Sequence, residues 1–478
     1  MISQSSWHDD WAGLQVAVLG LGKSGFSVAD TLIELGCKVK VFAKSASEEY
    51  RDLLGVIGAE LVESDLVEAF GAPMQFDFAV VSPGFPPSHP LVSHLRDAGL
   101  QLMTDIDLAW RLRDKTSKIA TWLTITGTNG KTTTTELTAH ILAGAGYRVA
   151  ACGNIGNPIL DAVRDPAGYD YLVVELSSFQ LHYLDAISPK VSAFLNFAPD
   201  HLDWHGSDSA YFLDKSKVYQ NTEVAIIYNA QDPKTLEAAE NADVVEGCRA
   251  VAFTTQMPKV SEVGYVEEFL VDRAFIAERS NSAQEIATDE DLARIGVVSN
   301  HLKANVAAAT AIARAIEVEP AVIKAAISTF VLSPHRIQLI AQFNSVKFVD
   351  DSKATNAHAA DASLSSFDDI VWIVGGLLKG VDPRPLLTSH ANRLRAAVII
   401  GKDTTELEGL FAELLPQLPV RVIRGDQVMF EAVSAAMELA TPGSTVLLAP
   451  AAASMDQFRD YADRGLQFQH EVLKQVQK

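Results

Sequence analysis

Cysteine is scarce in this chain of 478 residues, and basic residues are outnumbered. The three cysteines, Cys37, Cys152 and Cys248, form an odd count without metal-ligand spacing, which argues against a disulfide framework and against a thiolate metal site. Lysine and arginine total 39 against 60 acids, for a formal net charge of −21. A polyanion such as nucleic acid is therefore not an expected partner, and an anionic small substrate would need a local basic site. No run approaches the ~18 apolar residues of a membrane span. The first ten residues carry Trp7, Asp9 and Asp10 where a signal peptide needs a basic start and an apolar stretch, so a cytosolic protein is expected. What remains is ordinary soluble composition, 48% hydrophobic and 21% charged. The length predicts about three domains at ~150 residues each.

One stretch organises the rest: Thr124-Ile125-Thr126-Gly127-Thr128-Asn129-Gly130-Lys131-Thr132-Thr133-Thr134. The apolar run 119–125 reads as a buried strand, and Glu136, Leu137, Ile141 and Leu142 recur afterwards at helical spacing. Strand, glycine-rich turn and helix together make a concave site for phosphate oxygens, built from loop N–H groups and the helix N-terminus. Lys131 would reach the terminal phosphates, and the Thr132 hydroxyl is placed for a phosphate-bound Mg²⁺. The strict P-loop pattern requires a glycine five residues before Gly130, where Ile125 stands, so this loop is shorter.

Upstream, Val16-Ala17-Val18-Leu19-Gly20 is a short strand and Gly20-Leu21-Gly22-Lys23-Ser24-Gly25 a dinucleotide-type turn opening a helix. The second strand, 39–42, is followed by Ala43-Lys44-Ser45 rather than the acid that would hold an NAD ribose. A different phosphate-bearing ligand, a structural turn and NAD all stay open on these residues. The strand 78–81 ends in Ser82-Pro83-Gly84, at the end of the sheet where open α/β folds bind ligands; a plain turn fits equally.

A polar, basic stretch at 111–118 marks a linker. The central segment then alternates strands (119–126, 171–176, 191–197, 224–228) with helical patterns, as in a mainly parallel sheet. One strand closes in Glu175-Leu176-Ser177-Ser178-Phe179-Gln180, another in Asp200-His201-Leu202-Asp203-Trp204-His205. Carboxylates beside a phosphate loop suit Mg²⁺, whereas imidazole is an unusual ligand for it, so a structural role fits His201 and His205 on these residues alone. Lys215 and Lys217 read as a solvated helix face. Residues 230–295 are acidic and offer no chemistry, and Asn305 lies in an alanine-rich helix. Ser333-Pro334-His335-Arg336 marks a second boundary, followed by strands at 346–350, 370–374, 397–400 and 445–448, another doubly wound unit. Lys353 and Lys379 lie just past strand ends, where two ammonium groups suit an anionic substrate.

Collectively these motifs resemble the Mur ligase family. The core of that family is similar to Gly127–Thr133, Gly153-Asn154-Ile155-Gly156, Glu175–Gln180 and Asp200–Asp203, and its D-glutamate-adding branch to Asp351-Ser352-Lys353-Ala354-Thr355-Asn356 and Ser454-Met455-Asp456-Gln457-Phe458 with Arg464-Gly465. The resemblance spans nearly the whole chain. It implies three α/β domains: a Rossmann-like N-terminal domain at 1–114 for the UDP-linked precursor, a central P-loop-type mononucleotide-binding parallel-sheet domain at 115–332 for ATP, and a Rossmann-like C-terminal domain at 333–478 for the amino acid. It implies that Gly22, Lys23, Ser24, Ser82, Pro83, Gly84 and Asn154 meet the precursor. Gly127, Thr128, Asn129, Gly130, Lys131, Thr132, Thr133, Asn305, Arg336 and Asp351 would bind ATP; Thr132 and Glu175 one Mg²⁺; His201 and a carbamylated Lys215 a second; Lys353, Thr355, Lys379, Ser454 and Tyr461 D-glutamate. Lys131, His201 and Lys215 would be catalytic. Ala43, Lys44 and Ser45 depart from the family at the uracil end of the site, as do Ala449 and Ala452 elsewhere.

The implied reaction is ATP-driven: the carboxylate of UDP-N-acetylmuramoyl-L-alanine attacks the γ-phosphate, and the D-glutamate amine attacks the acyl phosphate. A monomer is expected, with hinges near Lys115 and Pro334 that let the third domain close. An NAD-dependent oxidoreductase lacks the ribose acid, a P-loop motor leaves the Lys353 and Ser454 loops unexplained, and a folylpolyglutamate synthase has no reason for the UDP-type turn.

Overall fold

Short apolar runs alternating with helical repeats build three mainly parallel sheets in the computed structural model, which describes residues 4–71, 75–185, 187–378 and 382–476. The first comprises β1 (Gln15–Leu19), β2 (Lys38–Phe42), β3 (Glu60–Val62), β4 (Phe78–Val81) and β5 (Gln101–Met103) in the order β3-β2-β1-β4-β5, every pairing parallel. Strand order reverses at β1, so the turns after β1 and β4 flank a crevice at the carboxyl ends. Gly25 is required there, because a Cβ would collide with the Gly20 carbonyl oxygen.

The second sheet runs β14-β13-β12-β11-β10-β9-β6-β8-β7. Its strands are β6 (Thr121–Thr126), β7 (Val149–Gly153), β8 (Tyr171–Glu175), β9 (Val191–Phe194), β10 (Ala225–Asn229), β11 (Arg249–Phe253), β12 (Glu262–Val266), β13 (Phe269–Asp272) and β14 (Gln284–Thr288). Pairing is parallel from β7 to β12, and β12, β13 and β14 form an antiparallel edge inside the stretch that carried no legible chemistry. The third sheet, β15 (Gln338–Phe343), β16 (Val346–Asp350), β17 (Ile370–Gly375), β18 (Leu394–Ile400), β19 (Val420–Val422) and β20 (Thr445–Leu448), has the order β15-β16-β20-β17-β18-β19, with only β15 antiparallel.

The chain divides into two compact units. One carries the first two sheets and residues 304–327; the other carries the third sheet with residues 198–203 and 289–303. Within the first unit, the first two sheets share one buried cluster that includes Leu108, Leu112, Trp122, Leu160 and Leu181, with Trp110 edge-on to Trp122 at 5.1 Å. Residues 112–120 between them form neither helix nor strand, and Lys115 pairs with Glu34. In the second unit both faces of the sheet are covered, one cluster holding Trp372 and Phe411, the other Phe348 and Phe468. No described helix is long and apolar enough to cross a membrane.

Candidate active site

The loop 127–130 joins β6 to the helix Lys131–Gly144, whose buried Leu137, Ile141 and Leu142 hold it against the sheet. Gly130 is the N-cap at φ +80°, a left-handed conformation that suits glycine, and a Cβ there would collide with Asn305 Oδ1. The helix has no side-chain cap and no acid in its first turn, so its N–H groups and dipole are oriented for an anion. Asn196 braces the loop: its Oδ1 accepts from Asn129 N at 2.9 Å, its Nδ2 donates to Asn129 O at 3.1 Å, and its carbonyl accepts from Thr128 N at 3.0 Å. Lys131 Nζ donates to Gly127 O at 2.9 Å and to Thr128 O at 3.0 Å. Thr132 and Thr133 stand in the helix's first turn.

Two further groups reach this floor. Lys215, on the helix Asp208–Ser216, is 1% exposed; its Nζ donates to Gly127 O at 2.8 Å and lies 4.9 Å from the Tyr211 ring. Tyr211 Oη in turn lies 3.2 Å from Thr128 Oγ1. Glu175 ends β8 beside Ile125 of β6, is 2% exposed, and accepts from Asn154 Nδ2 at 2.9 Å through Oε1. Its Oε2 is buried without a hydrogen-bond partner. Among the described residues no group of three or more His, Cys, Asp or Glu could hold a metal, so a cation here would need ligand oxygens as well.

His201, at φ +53°, lies in the second unit and contacts Asp200, its Nε2 3.7 Å from Oδ2. His205 belongs to the first unit, and its side chain is fully buried: it bonds Asp214 Oδ2 through Nδ1 and Ser178 Oγ through Nε2, both at 3.0 Å. Asp214 also receives His182 Nδ1 at 2.8 Å and Lys217 Nζ at 3.2 Å. Burial works to raise the Asp214 pKa, but the His182 and His205 hydrogen bonds prevail and hold it well below the usual carboxylate range.

After β1, residues Gly20 to Gly25, Ala43, Lys44, Ser45, Asp65, Ser82, Pro83, Gly84, Phe85 and His89 line a cavity of ≈ 520 Å³. All six predicted residues of the two turns line it: Gly22, Lys23 and Ser24 with Ser82, Pro83 and Gly84. Gly22 caps the helix Lys23–Glu34 without a side-chain bond and faces open space. Asn154 is not part of that lining; it sits beside Glu175. Ala43-Lys44-Ser45, where the family pattern breaks, does line the cavity, together with Asp65 and His89, 3.6 Å apart. Neither Asp65 nor His89 was singled out by the sequence, because no spacing rule links a residue after β3 to one after β4.

In the second unit, Asp351 is buried beside Ser363 Oγ; burial pushes its carboxyl up to about 6, against the Ser363 hydrogen bond and the Arg336 charge. Lys353 Nζ lies 3.8 Å from the Tyr461 ring centroid. Ser352 is also buried; its Oγ accepts from Arg464 Nε at 3.0 Å and donates to Tyr461 O at 2.7 Å. Arg464 is fully buried, and its Nη2 and Nη1 donate to Ser352 O and Ala452 O. Leu377 and Ala453 exchange backbone hydrogen bonds, so the loop bearing buried Ser454 lies against the loop that leads to Lys379, which itself falls outside the described residues. Thr355 N bonds Lys353 O at 2.8 Å.

Known proteins cover the same ground. Residues 14–104 match the family model "Mur ligase MurD-like, N-terminal domain", 125–313 "Mur ligase middle domain" and 335–452 "Mur ligase, glutamate ligase domain". The chain is 51% identical to the UDP-N-acetylmuramoylalanine–D-glutamate ligase of Leifsonia xyli over 98% of this chain and 94% of that one. It is 44% identical to the ligase of the same name from Streptomyces coelicolor over 97% and 98%. Among solved structures, the UDP-N-acetylmuramate-alanine ligase of Thermotoga maritima superposes with a TM-score of 0.58 at 15% identity, covering 97% of this chain and all of that one. The MurF ligase of Thermotoga maritima in complex with ADP gives 0.57 at 16%, over 97% and 96%.

Proposed function

Because this chain belongs to the Mur ligase family, we propose that it joins D-glutamate to UDP-N-acetylmuramoyl-L-alanine, using ATP to convert the precursor carboxylate into an acyl phosphate. A carboxylate and an amine do not condense unaided at neutral pH, and phosphorylation supplies the leaving group. The observation that carries the reading is the loop 127–130, which opens an uncapped helix N-terminus and whose Gly127 carbonyl accepts from both Lys131 Nζ and Lys215 Nζ. An entering triphosphate would exchange the Lys131 contacts for phosphate oxygens. Lys131 and the helix amides would then stabilise charge as the γ-phosphate transfers. Gly127, Thr128, Asn129, Gly130, Thr132 and Thr133 would line the phosphates, with Asn305 behind Gly130; Arg336 and Asp351 keep the ATP-binding role that the family resemblance implies.

The residues fit Mg²⁺: Glu175 presents a buried oxygen with no partner, and Thr132 a hydroxyl, both hard donors. Bound there together with phosphate oxygens, Mg²⁺ would neutralise the charge of the nucleotide. Lys215 as its carbamate, formed when the neutral amine adds CO₂ and loses a proton, would be an anionic ligand for a second Mg²⁺, the role that the family resemblance also implies for His201. Gly22, Lys23, Ser24, Ser82, Pro83 and Gly84 would hold the UDP diphosphate, and Asn154 would orient the precursor near Glu175. Lys353, Thr355, Lys379 and Ser454 would hold the D-glutamate carboxylates, with Tyr461 fixing Lys353. The reaction would run in the cytosol on a monomer.

The test is ADP release with UDP-N-acetylmuramoyl-L-alanine against a panel of D- and L-amino acids. ADP formed with D-glutamate alone is expected, whereas release without precursor or with L-amino acids would overturn the reading. A Lys215→Ala variant should lose activity and recover part of it with added short carboxylates.

A further inference from the structure

The helix that carries Lys215 is anchored one residue before it. Asp214 is 7% exposed, and two imidazoles share its Oδ2, His182 at 2.8 Å and His205 at 3.0 Å, while Lys217 takes Oδ1 at 3.2 Å. Both imidazoles lead to the segment that follows Glu175. His182 lies in the helix Ser178–Tyr183, and His205 Nε2 bonds Ser178 Oγ at the first residue of that helix. Lys217 closes the loop by donating to the His182 carbonyl at 2.7 Å. Phe179 and Trp204, 4.5 Å apart, pack around the imidazoles, with Trp204 4.4 Å from His205.

One buried carboxylate thus ties the helix bearing Lys215 to the segment three residues after Glu175. The side chains of Asp214 and Lys215 diverge, the first toward the His182 helix and the second toward the Gly127 carbonyl. A buried carboxylate with three basic partners is costly to desolvate and rigid once made, because each partner fixes it from a different element of the chain. Such a group contributes nothing to nucleotide contact. Its geometric product is a fixed offset between the Lys215 amine and the Glu175 carboxylate.

We propose that Asp214, through His205 and His182, is a positioning residue that sets the separation of Lys215 from Glu175 at the phosphate end of the site. The proposal rests on Lys215 and Glu175 acting there, as argued above. Disturbing a support of this kind costs about 10–100-fold in activity where ligand groups are held by outer-shell partners.

The test compares wild type, Asp214→Asn and His182→Gln, each checked for folding by circular dichroism. Three readouts are taken: kcat and KM for the precursor, Mn²⁺ binding in the presence of an ATP analogue by electron paramagnetic resonance, and the carbamate resonance in ¹³C-bicarbonate, assigned by its loss in Lys215→Ala. Asp214→Asn should lower kcat about 10–100-fold with KM within about twofold, and weaken Mn²⁺ binding and the carbamate signal together. Unchanged kcat and Mn²⁺ affinity with only a lowered melting temperature would make the network structural and overturn the proposal. Should Asp214→Asn fail to fold, His182→Gln carries the same test, since this side chain is 28% exposed and removes one of the two imidazoles. A several-fold loss of kcat supports positioning, and none overturns it. If wild type shows no carbamate, that part of the functional reading falls and kcat with Mn²⁺ affinity decides; if wild type has no ligase activity, the functional reading itself falls while Mn²⁺ affinity still reports on Asp214.

Discussion

Two glycine-rich turns in the first unit begin alike and end differently. Each leaves a buried parallel strand, β1 or β6, and opens a helix with no side-chain cap and no acid in its first turn. Two other helices of the same unit are finished internally: Thr104 and Ser177 each make a full capping box. The turn after β1 faces the cavity, and a Cβ added at Gly22 would meet nothing within 4 Å. The turn after β6 is occupied by its own chain, with Lys131 and Lys215 both bonded to the Gly127 carbonyl. One turn therefore stands open on its cavity, while the other is held by two lysines, of which Lys131 is proposed to exchange its contacts for phosphate oxygens.

The comparison breaks most severely at Lys131. Lys131→Ala should leave UDP affinity, measured by calorimetry, unchanged while ADP formation falls about 10³-fold, the scale of losing one group that meets transition-state charge. An equal fall in UDP affinity would mean that the two turns are not independent. Glu175→Gln should come next. It keeps the shape, removes the charge from an oxygen that has no partner, and should lower the rate about 10²-fold at fixed Mg²⁺ while the melting temperature holds or rises. A large loss of stability would show that Glu175 serves the fold.

Two glycines sharpen the contrast inside the first turn. Gly25→Ala drives a Cβ into the Gly20 carbonyl, a backbone atom that cannot yield, and should cost about 2 kcal/mol or more in urea unfolding. Gly22→Ala meets open space, so unfolding should be unaffected while UDP binding weakens several-fold. The reverse pattern would move the ligand away from this turn.

Much of this architecture was legible because the signals were local. The strand, turn and helix around Gly127 followed from apolar runs and glycine spacing, although β6 begins at Thr121 rather than at residue 119, since Ile119 is half exposed. Strands with little apolar contrast were not legible. β7 reads Val-Ala-Ala-Cys-Gly, and β15 is an antiparallel edge strand that buries none of its residues fully. Glu175 could be singled out as an acid at a strand end. Asp214 could not, because its importance comes from His182 and His205, which reach it across tertiary structure at unrelated spacings. Asp65 and His89 meet in the cavity for the same reason.

The smallest expected effect lies in a capped helix of the same unit. Asp105 follows the Thr104 cap, is 4% exposed, and has Oδ2 without a partner, although Gln180 Nε2 donates to its Oδ1 at 3.3 Å. Burial pushes its carboxyl up to about 6, the Gln180 hydrogen bond opposes this, and the Asp107 charge adds to it. A carboxyl raised in the folded state favours folding only while it is protonated. Its contribution is full below the ordinary value near 3.8, and is lost as pH rises through about 6. At pH 7 the ionised group is thus a cost, which Asp105→Asn removes. The variant should be more stable than wild type by about 1 kcal/mol at pH 7, and the gap should close toward pH 4, as read from melting temperatures across that range. A helix whose cap is complete can be improved this way without touching function. The helices after Gly22 and Gly130 cannot be, since an acid in either first turn would occupy the place proposed for phosphate.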